Sequence, residues 1–391
     1  MRRVTVKGGT RLRRRAAVSL IFIIMIKVLA VIGARPQFIK AAMVSQALAE
    51  CGEVTEIILD TGQHYDPVLT GVLLDDIQLR EPKYNLRVGS GSHGVQTARM
   101  LEGVEEALLA ERPDGILIYG DTNSTLSGAL AAAKLHIPVA HVEAGVRSYN
   151  RLMPEEINRI VADRVSDLLF CPTERASRNL QQEGITANAY WVGDVMYDAL
   201  LRVKDRALSR SEVLQRLHVL PREYALATVH RAENTDVESR LRGIVAALET
   251  INHTLPVVFP IHPRTRKMLA QTFSGNGSHL ALALVEPVGY LEMVTLESQA
   301  AVIITDSGGV QKEAFWSGVP CVTVRCETEW PETVSAGVNI LAGFETQRIV
   351  ESVHEVIDRP SPVPTDAFGD GHASQKVARL LVSAWKERAG G

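Results

Sequence analysis

From Lys27 onward, short apolar runs alternate with stretches of 10–17 residues that carry helical periodicity. This alternation constrains the fold more than any other feature, because strand–helix–strand units close as parallel sheets with helices on both faces. Six runs in the first half read as strands (27–32, 54–59, 115–120, 138–142, 167–171 and 189–193). Six more follow in the second half (224–229, 256–260, 281–285, 301–305, 319–324 and 338–341). Helical patterns between them include 37–50, 126–135, 155–167, 237–252 and 309–317, and 373–387 reads as a last helix. The expected fold class is α/β, with two Rossmann-like doubly wound domains facing a cleft and joined around 192–201. The expected divisions are an extension at 1–24, domains at 25–195 and 196–365, and a C-terminal helix at 366–391.

Composition and charge narrow the classes. The chain has 391 residues, 46% hydrophobic and 22% charged, which suffices for two cores and excludes a disordered or disulfide-stapled chain. No apolar run reaches the ~20 residues needed to span a bilayer. The net charge is −3, but residues 1–24 hold seven basic groups and no acid, leaving 35 basic against 45 acidic residues and a net of −10 from Met25 onward. Nucleic acid is therefore not an expected partner, since phosphate contact needs clustered Lys and Arg. The run 11–15 followed by 16–26 has the look of a signal peptide, yet it passes straight into the first strand, so 1–24 is read as a non-structural extension. Cys51, Cys171, Cys321 and Cys326 form no metal-ligand or disulfide spacing and suit a reducing cytoplasm.

In open α/β sheets ligands bind beyond the carboxyl ends of the strands, so the residues just after each strand are the chemical candidates. After the first comes Gly33-Ala-Arg35-Pro-Gln-Phe-Ile-Lys40, which sets two cations, Arg35 and Lys40, at a helix N-terminus that favours anions. The third ends in Gly120-Asp121-Thr-Asn-Ser, the fourth in His141-Val-Glu143, and Met153-Pro-Glu155-Glu156 opens a further helix. Each acid has a plain structural alternative, Asp121 as an N-cap and Glu155 as a dipole partner. Three acids at one cleft suit proton transfer between carboxylates, or a Mg²⁺ site. In the second half, Thr228-Val-His230-Arg231 suits a phosphate, with a satisfied structural histidine as the alternative. Ser307-Gly308-Gly309 opens a helix, lets backbone N–H groups approach a phosphate, and is followed one turn later by Glu313. Neither GxGxxG nor a P-loop is present, so a nucleoside diphosphate fits better than NAD.

Together GARPQFIK, TGQH, GDTNST, HVEAGVRS, PEEINR, TVHRAEN, TDSGGVQKEA and TEWPE, from about Lys27 to the C-terminus, resemble the non-hydrolysing UDP-N-acetylglucosamine 2-epimerase family. That resemblance implies the two-domain GT-B fold and reversible inversion at C2 of a UDP-2-acetamido sugar. The reaction proceeds by proton removal at C2, anti elimination of UDP, and re-addition to a 2-acetamidoglucal, with no metal and no cofactor. It implies acid/base roles for Asp121, Glu143 and Glu155, and assistance and diphosphate contacts from Lys40 and His230. It also implies a diphosphate cradle at Ser307, Gly308 and Gly309, a ribose contact from Glu313, a nucleotide-side contact from Arg35 and a uracil contact at Met293. The partner is a UDP-amino-sugar substrate, with no membrane insertion, in a cytoplasmic homodimer. The common bacterial members read GTRPE at the first motif and carry Arg where this chain has Trp330. In these two places the chain resembles a branch acting on a UDP-2,3-diacetamido-2,3-dideoxyglucuronate. Gln63 and His64 match part of the family's allosteric site, but 92–97 lacks its Arg, so allosteric activation is not expected. A hydrolysing relative, a GT-B glycosyltransferase and a non-catalytic UDP-sugar sensor are the alternatives.

Overall fold

The computed structural model describes residues 25–63, 76–210, 212–273, 282–357, 359 and 365–389. The expected extension 1–24, the loop at 361–364 and His64 lie outside the described residues.

Seven parallel strands form the first sheet: β1 Ile26–Ile32, β2 Val54–Asp60, β3 Tyr84–Asn85, β4 Gly115–Tyr119, β5 Val139–Val142, β6 Leu168–Cys171 and β7 Ala189–Trp191. Their order is β3-β2-β1-β4-β5-β6-β7. Six parallel strands form the second: β8 Ala225–Thr228, β9 Val257–Pro260, β10 Ala283–Val285, β11 Val302–Thr305, β12 Cys321–Thr323 and β13 Asn339–Leu341, in the order β10-β9-β8-β11-β12-β13. The expected strands are present, and β3, which has only two residues and no apolar run to announce it, joins the edge. The central strands GILIY (β4) and VIIT (β11) are buried at every position, as strands covered on both faces must be. In each sheet the order reverses once, between β1 and β4 and between β8 and β11. Those crevices are where ligands sit in such folds.

Two glycines control how the chain passes between the sheets. Gly193 has φ +96° and Gly369 φ +89°. A Cβ on Gly193 would lie 2.9 Å from the Phe368 carbonyl oxygen and 3.2 Å from the Gly369 Cα, so the two crossings touch backbone to backbone. The Asp194 amide ties them by donating to the Phe368 carbonyl at 2.8 Å. Helix Ala373–Ala389 then returns to the first sheet. Asp198 starts it by accepting from the Ala373 and Ser374 amides at 3.1 and 2.7 Å, a carboxylate at the positive end of the helix dipole. Buried Trp385 lies under Gly115 of β4, where a Cβ would fall 2.4 Å from the indole. One apolar cluster joins Phe38, Leu117 and Leu381 to Tyr290, Phe315, Trp330 and Phe368, so the sheets share a core across the crossing.

Gly193→Ala is expected to lower the unfolding free energy by at least about 2 kcal/mol, because a left-handed backbone is combined with a steric clash. Chemical denaturation with an unchanged m-value would check this, and an unperturbed midpoint would refute it.

Candidate active site

At the first switch point, Gly33 is obligatory for space. A Cβ there would fall 2.0 Å from Thr61 Oγ1 and 2.3 Å from Ser124 Oγ. Gln37 seals the turn, accepting from the Ala34 amide at 3.0 Å and donating to the Tyr119 carbonyl at 2.7 Å across β1 and β4. Helix Arg35–Cys51 thereby starts at a fixed height, with Arg35 exposed at its tip and Lys40 buried one turn on. Glu143, just after β5, adopts φ +74°, a left-handed conformation rare for a residue with a side chain. Its Oε2 pairs with Lys40 Nζ. A Cβ on Gly120 would sit 3.4 Å from Lys40 Nζ and 3.6 Å from Glu143 Oε2, so the Gly120-Asp121 turn closes over this pair. Burial, then the nearby Lys312 charge, pull the Lys40 ammonium down to about 8.

Asp121 remains one-third exposed and pairs with Arg159 on helix Pro154–Val165. The adjacent carboxylates of that helix separate by role. Glu156 is buried and accepts from the Ser148 and Tyr149 amides, both at 2.9 Å, and from Arg159 at 3.0 Å. Glu155 stands half-buried beside it in the first turn. His141, next to Glu143, is fully buried between Asp163 and the Gly120 carbonyl, at 2.7 Å from each. Asp163 also takes Arg147 at 2.7 Å and the Gly145 amide at 3.1 Å.

At the second switch point Asp306 is fully buried. It accepts from the His230 amide at 3.1 Å, the Arg231 amide at 3.0 Å and Asn234 at 3.1 Å, strapping the loop after β8 to the loop after β11. His230 thus projects with its side chain 41% exposed. Helix Gly308–Ser317 begins at Ser307, half-buried, with Gly309 exposed and only Ser307 Oγ within 4 Å of a Cβ placed there, which leaves its amide end open. A Cβ on Gly308 would meet Trp330 Nε1 at 3.0 Å, so the indole backs this turn. Burial works to raise the Glu329 carboxyl, yet Arg231 and Arg325 hold it down at about 2. Met293 lies on helix Tyr290–Gln299, and its amide already donates to the Gly289 carbonyl at 3.0 Å. The Tyr290 and Leu291 amides at that end are taken by the Asp76 carboxylate, which caps the helix.

Glu313 is buried against Glu297 of the same helix, Tyr290–Gln299. Among the described residues no N–H or hydroxyl reaches either Glu297 oxygen, and its partner is the Glu313 carboxyl. Two carboxyl groups in contact need a proton between them. Burial and the Glu313 charge push Glu297 well up, so Glu297 is the neutral donor and Glu313 the acceptor. The Arg35 guanidinium, from the first sheet, opposes the upward shift of both carboxyls.

The sites of the two sheets are joined by Lys312. Its Nζ donates to Asp194 at 2.5 Å and to Glu143 Oε1 at 3.3 Å. Lys40, Asp121, Glu143 and Glu155 therefore stand on one wall. Ser307, Gly308, Gly309 and His230 stand on the other, with Glu313 and Met293 behind them.

A family model described as UDP-N-acetylglucosamine 2-epimerase matches residues 46–382. The chain belongs to the UDP-N-acetylglucosamine 2-epimerase family. It is 49% identical over 358 residues to a UDP-N-acetylglucosamine 2-epimerase homolog of Methanococcus maripaludis, covering 91% of this chain and 99% of the relative. It is 47% identical over 360 residues to a UDP-2,3-diacetamido-2,3-dideoxy-D-glucuronate 2-epimerase of Pseudomonas aeruginosa, covering 91% and 99%. The Methanocaldococcus jannaschii UDP-GlcNAc 2-epimerase, crystallised with UDP-GlcNAc and UDP, superposes with a TM-score of 0.86 at 41% identity over 92% of this chain and 100% of that one. In this epimerase, sequence reasoning overlooked Lys312, Asp194, Glu297 and Asp306. Lys312 and Asp306 stand inside the quoted TDSGGVQKEA motif, so position was available as a signal. Asp194 directly follows the expected strand 189–193, so its position was a signal too, whereas nothing in the local pattern marks Glu297.

An acid whose folded pKa is raised keeps a proton that the unfolded chain gives up, so its contribution falls as pH rises above the ordinary carboxyl range. Glu297→Gln, which keeps a donor to Glu313, is expected to flatten the decline of Tm as pH rises from about 4.5, the ordinary carboxyl value. Thermal denaturation over that rise in pH is the check, and parallel slopes in the two proteins would contradict it.

Proposed function

We propose that this epimerase inverts C2 of a UDP-2-acetamido sugar. The C2–H bond breaks to a carboxylate, its electrons form the C1=C2 bond, and the C1–O bond breaks as UDP leaves with the electron pair. Re-addition of UDP to C1, with a proton delivered to the other face of C2, completes the inversion. No oxidant is needed, because every atom and electron lost in the first half returns in the second. Asp121, Glu143 and Glu155 are the groups proposed to take and return protons. Lys40 and His230 offset the charge of the departing diphosphate, Ser307 and the amides of Gly308 and Gly309 cradle it, Glu313 accepts from the ribose, and Arg35 and Met293 bound the nucleotide. The observation that carries this reading is the contact between the walls: acid/base candidates from one sheet lie against the helix that opens with Ser-Gly-Gly on the other.

UDP-GlcNAc is the proposed substrate and UDP-ManNAc the product, as precursors for surface polysaccharide. A second reading, the same inversion on UDP-2,3-diacetamido-2,3-dideoxyglucuronate, is favoured by the likeness of the motif around Trp330 to that branch and by the 47% identity to the Pseudomonas enzyme. We also propose that it works as a homodimer in the cytoplasm, a reducing compartment suited to four unpaired cysteines. No described helix is long and apolar enough to cross a membrane.

In D₂O, proton NMR with each sugar nucleotide is expected to show loss of the C2–H signal and growth of a manno product still attached to UDP. Failure of exchange with both would defeat the proposal, and exchange with the uronate alone would change the substrate. Asp121→Asn is expected to slow exchange by about 10²–10⁴-fold with little change in UDP affinity, since Asp121 lies on the first sheet. Glu313→Ala is expected to do the reverse, weakening UDP more than it slows exchange. Equal loss of UDP affinity in both variants would refute the division of roles.

A further inference from the structure

Lys312 belongs to the helix that opens with Ser-Gly-Gly, yet its ammonium leaves the second sheet. It is 2% exposed, 3.9 Å above the Trp330 ring, and bonded to Asp194 at 2.5 Å and Glu143 Oε1 at 3.3 Å. Lys40 holds the other Glu143 oxygen. The Glu143 carboxylate is therefore gripped between two ammonium groups, one from each sheet. Asp194, also 2% exposed, supplies the second anion, so the quartet carries no net charge, and loss of any single member leaves a charge uncompensated. Asp194 directly follows Gly193, where the chain crosses between sheets, and its amide binds the second crossing at Phe368. The cluster thus forms only where the two walls and both crossings meet. Beyond its own members, the charges facing Lys40 are Asp121 and Arg159.

Resting on the epimerase reading above, we propose that Lys312 is a positioning residue for proton transfer at C2: anchored by Asp194 at the crossing, it aims the Glu143 carboxylate and faces Lys40 across it, so that the acid/base wall is competent only when the nucleotide-binding helix is seated. Glu143 has the left-handed φ of +74°, a conformation that persists only where its surroundings hold it; its two carboxylate oxygens are held from opposite sides. Lys312 and Lys40 hold one each. Repulsion from Lys312, after burial, is the chief cause of the Lys40 ammonium standing near 8, which makes it a ready proton donor. A purely structural latch would need only the Lys312–Asp194 pair.

The test uses the full chain as wild type, Lys312→Met and the double variant Asp194→Asn/Lys312→Met. The single variant strands an unpaired buried carboxylate, and its Tm is expected to fall. The double variant removes both charges, so its Tm is expected to recover while kcat for C2 exchange stays at least about tenfold low and KM moves less. A double variant with both Tm and kcat restored would mean a latch and overturn the proposal. Carbon-13 NMR of the Lys40 Cε, in protein labelled at lysine, reads the coupling without any substrate. The Lys40 titration is expected near pH 8 in the wild type and at higher pH in Lys312→Met, and an unmoved titration would overturn the proposal. A wild-type protein inert towards both sugars would sink the epimerase reading alone, while the Lys40 titration would still decide the coupling.

Discussion

The site depends on one kind of interaction, a fully buried carboxylate that closes loops by accepting their backbone amides. Asp306 accepts two amides and Asn234, and so ties the loop after β8 to the loop after β11. On the first sheet, Asp163 grips His141, Arg147 and the Gly145 amide, while Glu156 takes the Ser148 and Tyr149 amides. A carboxylate removed from water is stable only if several donors converge on it, and the same convergence makes each loop rigid. These acids lie behind the cleft and free its facing groups, Asp121, Glu155 and His230, to remain partly exposed.

Rigidity is needed most at Glu143. Its φ of +74° costs on the order of 1–3 kcal/mol in a residue with a side chain and persists only where the surroundings enforce it. The amides of Glu143 and Ala144 both donate to the Phe170 carbonyl of β6, at 3.0 and 3.1 Å. His141, two residues earlier, is pinned on both ring nitrogens. The backbone is therefore fixed on either side of the unusual dihedral, which turns the carboxylate towards Lys40 rather than back along the strand.

Much of this arrangement was legible in the sequence because it follows from period and punctuation. The central strands are largely apolar, Gly33 and Gly120 follow two of them, and the residues after those glycines reach the crevice where the strand order reverses. Strand β3 was not legible, since two residues carry no period, and it pairs with β2 only because the sheet edge is open there. The roles within each motif were not legible either. Glu155 and Glu156 are adjacent acids in one helical turn, and only the fold decides that Glu156 turns inward to amides while Glu155 does not. Lys312 and Asp194 lie 118 positions apart, and no local pattern connects them.

Trp330 connects the crossing to the chemistry. Phe368, at the second crossing, packs against Phe315, Trp316 and Trp330 with ring centroids 5.3, 5.5 and 5.8 Å away, and Trp316 stacks on Tyr197 of the helix after the first crossing. An arginine at 330, as in the common bacterial members, would bring a third cation beside Lys312 and Lys40. The indole instead presents its π face to the Lys312 ammonium, an attraction that strengthens as the ion is desolvated. The exchange of Arg for Trp thus does two things at once. It removes a cation from the side of the cleft where a diphosphate or an acidic sugar would lie, and it steadies the lysine that spans the two sheets. On the reading proposed above, the anion contacts then fall to Arg35, Lys40, His230 and the Ser307-Gly308-Gly309 turn, and not to position 330.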